Sequence, residues 1–399
     1  MKKILTVAIL LVASTFSFAE YDENTLGKKD GYPSDCKFKE RDPRRCLIAW
    51  TSGKIPSHVK IKEFYSKHGN IIAWDIDEKL LSERQTNKVN SLFNSSPIKS
   101  LIIVKNGKIA YEKYQYSLTK DSLAVNYSMT KSITALAVGK AIELGHIKSI
   151  DDEAGKYLPQ LSGSVFEKIT IKNLLLMASG VNYNYEPGLG DSTKTEIQAN
   201  IMLGIRDENI VDYLKNYKSN NSQQGKNFNY DNKNTILLGM IIEAATGKSL
   251  PDFFGEQIWS KIGASSDFMW AGTKNNIIGA EGWSASIPRD FAKIGLLVAN
   301  EGIINGEQII NKEWIKQQTT KQIKVSRIGN TRQFPDRGYG YQTHTHDNLN
   351  NIYAFEGFMG QLVMFDRKSK TFMVVHSVDV MASNWLNIYA LFDEVIKEK

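Results

Sequence analysis

The stretch NYSMTKSITALAVGKAIELG, residues 126–145, decides how the rest of the sequence is interpreted. Apolar residues recur at helical spacing after Ser128, and Gly145 stands where helices commonly end, so the stretch predicts a helix that begins near Ser128. Ser128 and Lys131 would share one face of that helix, because they lie three positions apart. The free N–H groups at the start of the helix would favour a developing oxyanion. The stretch therefore suggests a nucleophilic serine beside a lysine base.

The Ser-x-x-Lys spacing alone is a weak signal, because the chain contains it five times. Only the Ser128–Lys131 pair opens a long helix directly after a predicted hairpin. A lysine that acts as a base must be neutral, which requires a buried, cationic or well-bonded setting. The spacing leaves open a plainer interpretation, in which Ser128 caps the helix and Lys131 is solvated.

Predicted strands lie on both sides of a mostly helical middle. LIIVKNGKIAYEKY, residues 101–114, contains two apolar-rich segments around Asn106-Gly107, a dipeptide that prefers a type I′ hairpin turn. QLVMFDRKSKTFMVVHS, residues 361–377, predicts a second hairpin with a four-residue turn. We therefore predict an α/β fold of the α+β type: an antiparallel sheet flanked by helices and built from both chain ends, with an inserted all-helical domain.

The N-terminus has the pattern of a secretory signal peptide. Lys2 and Lys3 precede an apolar run, and small residues lead up to Ala19. We expect cleavage after Ala19 and a periplasmic or secreted mature chain of 380 residues (399 − 19) without a stable membrane anchor. The predicted domains are the signal peptide at 1–19, an N-terminal extension at 20–96, the sheet domain at 97–145 plus 258–399, and the helical domain at 146–257.

Charge and cysteine content narrow the possible functions. Loss of Lys2 and Lys3 lowers the formal net charge from +7 to +5, and no basic stripe is visible, so no nucleic-acid partner is expected. Cys36 and Cys46 form an isolated pair with nine residues between them. In an exported chain this pair predicts one disulfide, which would contribute about 3 kcal/mol in the chain-entropy model. The sequence does not indicate an oligomeric state.

Two further motifs point to the same chemistry. Tyr230 is the only one of 17 tyrosines with an asparagine, Asn232, two positions later. A tyrosine beside a lysine can relay protons, and an amide can orient the lysine or a substrate carbonyl. In FEGFMGQLVMFD, Gly357 and Gly360 are expected to open a strand, where the N–H of Phe358 would be a second oxyanion donor. A loop tyrosine before a helix cap, and a simple bulge or turn, are the plainer alternatives.

In this order the three motifs resemble the serine β-lactamase and penicillin-recognising superfamily, and within it the class C-like branch of esterases and 6-aminohexanoate-dimer hydrolases. Linking segments from Pro97 to Ser377 are similar as well. The resemblance implies a β-lactamase/transpeptidase-like fold and a serine hydrolase that acts through an acyl-enzyme on small carboxylic esters or linear amides; the N-terminal pattern adds that this hydrolase is exported. A β-lactamase or D-amino-acid peptidase of the same superfamily is the alternative, and so is a non-catalytic cell-envelope binding protein.

The resemblance also implies roles for individual residues. We expect no cofactor and no metal, because the sequence shows no complete ligand set and the proposed nucleophile needs none. Ser128 would be the acylated nucleophile, and Lys131 and Tyr230 would share general base and acid work. Asn232 would position Lys131 or the substrate. The backbone N–H groups of Ser128 and of Phe358, next to Gly357, would form the oxyanion hole. Gln361 matches a glutamine common in the esterase-like branch, without an assigned role.

The third motif departs from the family pattern. Penicillin-recognising enzymes carry Lys-Thr-Gly or His-Thr-Gly there, and the cation helps to bind the β-lactam carboxylate. Here the stretch is Phe355-Glu356-Gly357. We expect anionic β-lactams to be disfavoured by the lost attraction, and by direct repulsion if Glu356 faces the pocket.

Other catalytic classes find less support. A Gly-x-Ser-x-Gly motif is absent from the sequence. His344-Thr345-His346-Asp347 hints at a metal site, but Asn348 and Leu349 follow where further ligands would be needed, so we expect a polar loop. His376 is expected to be a packed or hydrogen-bonded histidine.

Overall fold

The computed structural model describes residues 26, 28–31, 33–35, 46–54, 56–57, 59–181, 198, 201–204, 206–217, 223–325, 337–346, 352–379 and 384–397. The predicted signal peptide and Cys36 lie outside these residues, so the cleavage site and the disulfide stay predictions. Across the described ranges, no helix combines the length and the apolar character that a membrane crossing requires.

The secondary structure consists of short strands around a set of helices. The described strands are β1 (Ile61–Ser66), β2 (Ile98–Lys105), β3 (Lys108–Tyr114), β4 (Ala124–Val125), β5 (Phe268–Thr273), β6 (Ser284–Ser286), β7 (Ile303–Ile304), β8 (Glu307–Gln308), β9 (Ile323–Lys324), β10 (Arg337–Tyr339), β11 (His344–His346), β12 (Ile352–Gly357), β13 (Gln361–Asp366) and β14 (Thr371–Ser377). The described α-helices are α1 (Leu47–Thr51), α2 (Glu83–Ser95), α3 (Met129–Glu143), α4 (Ile171–Leu175), α5 (Ile210–Lys215), α6 (Asn232–Thr246), α7 (Leu250–Gln257), α8 (Pro288–Ala299), α9 (Lys312–Thr319) and α10 (Trp385–Lys397).

The main sheet has eight strands in the order β3-β2-β14-β13-β12-β11-β10-β9, and every pairing in it is antiparallel. The pairing of β2 with β14 joins the early part of the chain to its late part, with Ile103 opposite Met373. The predicted fold class, a sheet built from both ends of the chain, is therefore confirmed. The predicted domain boundaries stay a prediction.

Helices cover both faces of this sheet. On β2, Ile102 and Val104 belong to one buried core, shared with α3, α6 and α8. Leu101 and Ile103 point to the opposite face and pack in a second core with α2 and α10. Because both faces are covered, β2 is buried along almost its whole length, and residues 101–104 form a continuous apolar run rather than an alternating pattern.

Part of the predicted N-terminal extension is built into the body of the fold. Strand β1 pairs with β5 in a second, four-stranded sheet of order β1-β5-β6-β4, with Ile61 opposite Thr273. The extension also contributes helix α2, where the buried side chain of Gln85 donates to the backbone oxygen of Val395 in α10 at 3.2 Å. Lys99 on β2 donates to Thr51 Oγ1 of α1 at 2.8 Å.

The predicted turns are confirmed by backbone geometry. Asn106 and Gly107 have φ of 52° and 76°, as a type I′ turn between β2 and β3 requires. Gly145 just beyond α3 and Gly247 at the end of α6 also have positive φ, 76° and 68°. These glycines allow the two long helices to end in the left-handed region without a steric penalty.

Two local predictions are wrong. His344–His346 form the buried strand β11, not a polar loop, because their backbone pairs with both β10 and β12. Gly357 and Gly360 do not open one strand together. Gly357 ends β12, and Gly360 closes a 3₁₀ turn, Phe358–Gly360, that leads into β13.

Candidate active site

The proposed nucleophile and its lysine lie together at the start of α3. Ser128 stands at the N-cap position, yet its side chain makes no capping hydrogen bond. Lys131 is only 1% exposed, and its Nζ donates to Ser128 Oγ at 2.9 Å. The alternative of a capping serine followed by a solvated lysine is therefore wrong. The geometry places an amine against a hydroxyl at the positive end of a helix dipole.

The backbone around Ser128 is fixed from both sides. Tyr127 has φ of 45°, a left-handed conformation that tyrosine rarely adopts. Thr130 Oγ1 donates to Tyr127 O at 2.6 Å and lies 2.7 Å from Ser284 Oγ. The N–H of Asn126 donates to Ser284 O at 2.9 Å. These contacts tie the nucleophile turn to strand β6 and hold the strained residue in place.

Lys131 makes two further contacts, one with Glu281, which the sequence does not predict, and one with Tyr230, which it does. Its Nζ donates to the backbone oxygen of Glu281 at 2.5 Å. It also lies over the ring of Tyr230, 5.0 Å from the ring centroid. Glu281 is 2% exposed, so a buried carboxylic acid side chain stands in the segment that holds the lysine.

The Tyr230 motif begins the long helix α6. Asp231 caps this helix by accepting from the N–H of Lys233 at 2.9 Å. Tyr230 is half-buried and stacks on His344, with centroids 6.3 Å apart and an interplanar angle of 22°. Tyr230 is thus both a residue before a helix cap, as the plainer interpretation holds, and a neighbour of Lys131.

Asn232 is the first residue of α6 and is half-buried. Within the part of the chain that the structure describes, its side chain makes no hydrogen bond. The structure therefore brings Ser128, Lys131 and Tyr230 together but does not place the Asn232 amide on Lys131. A role for Asn232 in contacting substrate stays a prediction.

The predicted second oxyanion donor lies at the end of β12. The β12–β13 pairing ends with Gly357 opposite Gln361, so the N–H of Phe358 comes directly after the ladder. A Cβ on Gly357 would lie 2.7 Å from the backbone oxygen of Asn126, which is too close for any other residue. This glycine therefore lets β12 approach the nucleophile segment. The Phe358 ring packs edge-on against Tyr127, with centroids 5.8 Å apart, and is 55% exposed.

Gln361 holds this turn in place. Its buried amide donates to the backbone oxygens of Phe358, Met359 and Ser377 at 3.1, 3.0 and 2.8 Å. Its Oε1 accepts from the N–H of Ser377 at 3.1 Å. The glutamine thus links the turn to β14 and compensates for the left-handed φ of 60° at Met359. This supplies a role that the sequence alone does not assign.

Phe355 and Glu356 point to opposite faces of β12. Phe355 is fully buried and packs against Phe365 at 5.2 Å between centroids. Glu356 is buried on the other face, ion-paired with Arg337 and hydrogen-bonded to Tyr389 Oη at 2.8 Å. Burial would raise the pKa of Glu356, but Arg337 and two histidines hold it well below its ordinary value. Direct repulsion of substrates by Glu356 is therefore not expected, because its charge is paired with that of Arg337.

Two buried histidines, His344 and His376, are neutral at neutral pH. Burial lowers the pKa of His344 to about 3 and the pKa of His376 to about 3. His376 lies 3.1 Å from Ser100 Oγ through Nδ1, which agrees with the predicted hydrogen-bonded histidine. Among the described residues, no group of three or more His, Cys, Asp or Glu side chains has the geometry of a metal site. Metal independence stays a prediction.

Sequence reasoning missed Glu281, Ser284 and Asn126. Glu281 is one of 43 acidic residues, and no motif around it in the sequence distinguishes it from the others. Ser284 and Asn126 act through contacts between β6 and the nucleophile turn, segments more than 150 residues apart. Only the pairing of β4 with β6 brings them together.

The sequence matches the β-lactamase family over residues 97–380. The chain belongs to the β-lactamase family. It is a hydrolase of that superfamily, and it is 22% identical to a 6-aminohexanoate-dimer hydrolase from Paenarthrobacter ureafaciens over 72% of each chain.

Solved structures confirm the β-lactamase/transpeptidase-like fold. A Bacillus anthracis protein provisionally assigned as a 6-aminohexanoate-dimer hydrolase superposes with a TM-score of 0.74 at 22% identity, covering 92% of this chain and 97% of its own. EstCE1, a hydrolase with promiscuous acyltransferase activity, gives a TM-score of 0.64 at 13% identity over 80% of this chain and 99% of its own. At these identities the structural likeness concerns the fold alone.

Proposed function

We propose that this protein is a serine hydrolase that cleaves small carboxylic esters or linear amides through an acyl-enzyme on Ser128. The observation that supports it most is the 2.9 Å contact between Lys131 Nζ and Ser128 Oγ at the start of α3, with the lysine wholly buried. A hydroxyl alone is a weak nucleophile, and an adjacent base within hydrogen-bond reach activates it.

The proposed reaction has two balanced steps. In the first, Ser128 Oγ attacks the substrate carbonyl carbon while its proton passes to Lys131. The oxyanion accepts hydrogen bonds from the N–H groups of Ser128 and Phe358, and the leaving alcohol or amine takes up the proton through Lys131 and Tyr230. In the second, water attacks the acyl carbonyl carbon while its proton passes to Lys131 and Tyr230. The bond between the acyl group and Ser128 Oγ then breaks, Ser128 takes up the proton, and the acid is released.

The wall beside this site favours uncharged substrates. The Phe358 ring is exposed and packs on Tyr127, which gives the nucleophile an apolar neighbour. The strand position that carries a cation in penicillin-recognising enzymes is Phe355, and its ring is buried in the core. A substrate carboxylate therefore lacks its usual partner at that position. The lost attraction alone is the basis for the expected low activity on β-lactams, since the charge of Glu356 is paired.

The name of one relative supports linear amides as a second group of substrates. The Paenarthrobacter ureafaciens protein is named for hydrolysis of the 6-aminohexanoate dimer. An identity of 22% is too low to assign the same substrate to this chain. We therefore propose short-chain esters and linear amides as the substrate class. Export, proposed from residues 1–19, would place the reaction in the periplasm or outside the cell.

The test compares kcat/KM for p-nitrophenyl butyrate with that for nitrocefin on one preparation. Loss of a charge-assisted contact costs about 1.5–3 kcal/mol, or about ten- to a hundredfold in kcat/KM, so the ester should be the better substrate. A short p-nitroanilide measured beside them reports on amides. A tenfold preference for nitrocefin would identify a β-lactamase and reject the interpretation of Phe355-Glu356-Gly357. No turnover of any substrate would favour a binding protein.

A further inference from the structure

The N-terminal extension contributes to a small buried core beside the candidate active site. The family match begins at residue 97, so the described residues from 26 to 54 lie before it. Several of them form one hydrophobic cluster, the extension cluster, with two residues from late in the chain, and two tyrosines pack against it. The buried members are Leu26, Cys46, Ile48, Trp50, Met359 and Val378, and the tyrosines are Tyr116 and Tyr127.

Two residues of this cluster adjoin the proposed oxyanion donors. Met359 follows Phe358 in the turn Phe358–Gly360, and Tyr127 directly precedes Ser128. Tyr127 Oη donates to Met359 Sδ at 3.8 Å, so the two segments touch through these side chains. Met359 and Tyr127 both have left-handed backbone conformations, with φ of 60° and 45°. Such a conformation persists only where the surroundings hold it, and the extension cluster packs on both residues.

Helix α1 of the extension is fixed to the main sheet by a buried lysine. Lys99 on β2 is fully buried, and its Nζ donates to Thr51 Oγ1 at 2.8 Å and to Ser52 Oγ at 2.6 Å. The same amine donates to the backbone oxygen of Ile48 at 3.4 Å. A buried amine is costly without such acceptors, so Lys99 opposes detachment of α1 from the sheet.

The residues after α1 lie beside the segment that leads to the nucleophile. A Cβ on Gly53 would lie 3.9 Å from Leu123 Cβ, so the backbone of Gly53 passes next to that side chain. Leu123 immediately precedes β4, and the nucleophile turn follows this strand. A shift of α1 would therefore reach the segment of Ser128 as well as the turn that carries Phe358.

We propose that Ile48 of the N-terminal extension is a positioning residue for the hydrolysis, because its cluster holds the turn Phe358–Gly360 against the nucleophile turn. The proposal rests on the proposed function, in which the N–H groups of Ser128 and Phe358 stabilise the oxyanion. Ile48 has no group that could take part in the reaction, and it acts through the packing of Met359 and Tyr127. A segment that precedes the family match thus completes the site.

Loosening the extension cluster should lower kcat more than it changes KM. Oxyanion donors act mainly in the transition state, so a displaced donor affects the chemical step. A misplacement of about 1 Å can cost about a hundredfold in rate. Ile48→Ala removes most of one buried side chain and leaves the rest of the cluster in place, so the turn should move by less. We expect kcat for p-nitrophenyl butyrate to fall by about tenfold.

The experiment measures kcat, KM and the rate of fluorophosphonate labelling in the full chain with Ile48→Ala. Ile388→Ala is the matched control, because Ile388 is also an isoleucine that is 1% exposed, and it lies in α10 within the second core. Urea unfolding defines conditions under which both variants are folded. The control should lose stability and keep its kcat and labelling rate, whereas Ile48→Ala should lose about tenfold in both.

Two further variants test the same contact. Ile48→Val retains most of the buried side chain and should restore most of the kcat that Ile48→Ala loses. If Ile48→Ala does not fold, Lys99→Met replaces it. Methionine keeps a long unbranched side chain but cannot donate to Thr51 or Ser52, so α1 loses its attachment and kcat should fall again.

The outcomes separate this inference from the proposed function. If kcat in folded Ile48→Ala stays at the wild-type value, or falls no further than in Ile388→Ala, the role of Ile48 is overturned while wild-type hydrolysis leaves the hydrolase proposal standing. A rise in KM at unchanged kcat overturns it as well. An unchanged kcat in Lys99→Met does the same if the alanine variant is unfolded. Absence of wild-type ester hydrolysis and of fluorophosphonate labelling would reject the proposed function itself.

Discussion

Replacing Gln361 with alanine should damage catalysis without removing any group that reacts. The side chain donates to the backbone oxygens of Phe358, Met359 and Ser377, and it accepts from the N–H of Ser377. Gln361→Ala leaves these buried groups without their partner. Each unsatisfied buried group costs about 1–3 kcal/mol, and water that enters the space recovers part of it. We expect the free energy of unfolding to fall by about 2–4 kcal/mol in total.

The expected effect on kcat follows from the position of the turn Phe358–Gly360, which carries the proposed oxyanion donor. Loss of one oxyanion donor costs about a hundred- to a thousandfold in kcat, and a displaced donor should cost less. We expect kcat for p-nitrophenyl butyrate to fall by about ten- to a hundredfold in Gln361→Ala, with a smaller change in KM, because the donor acts mainly in the transition state. Urea unfolding measured in parallel gives the stability and defines conditions under which the variant is fully folded.

Gln85→Ala is the control for stability. Gln85 is also a buried glutamine, and its amide donates to the backbone oxygens of Glu394 and Val395 on the far face of the sheet. This variant should lose stability and keep its kcat. An unchanged kcat in Gln361→Ala, or an equal loss of kcat in both variants, would contradict the role assigned to the turn.

Two further predictions concern the cysteines and metals. Protein purified from the periplasm should have an intact mass about two daltons below that of its reduced form, because the predicted Cys36–Cys46 disulfide removes two hydrogens; two titratable thiols would refute the pairing. EDTA should leave ester hydrolysis unchanged, because the proposed nucleophile needs no metal. A loss of activity that zinc restores would instead move the chemistry towards His344 and His346.

The sequence predicts the parts of the fold that depend on local rules. Asn106-Gly107 favours one turn type wherever it stands between two strands, and Gly145 and Gly247 end helices because few other residues accept a positive φ. The order of the motifs around Ser128 and Tyr230 is also visible without coordinates. These features depend on a residue and its close neighbours, so one sequence is enough to identify them.

The features that the sequence did not predict depend on distant partners. The strand at 344–346 carries two histidines, which resemble a polar loop until β10 and β12 pair with it on either side. Glu356 resembles a charge beside the pocket, but Arg337 neutralises it on the opposite face of the sheet. Glu281 faces Lys131 only because the chain returns to α3 after 150 residues. Burial and pairing at such separations cannot be obtained from composition or periodicity.

Covalent labelling of one serine is the most direct test of the proposed mechanism. A fluorophosphonate probe needs an activated serine, and Ser128 lies 2.9 Å from the amine of Lys131. Intact mass and peptide mapping should place one label on Ser128, and Ser128→Ala should abolish both labelling and ester hydrolysis. Ser117→Ala, which alters the exposed Ser-x-x-Lys pair formed with Lys120, should retain both activities. A label on another residue, or wild-type turnover by Ser128→Ala, would contradict the mechanism.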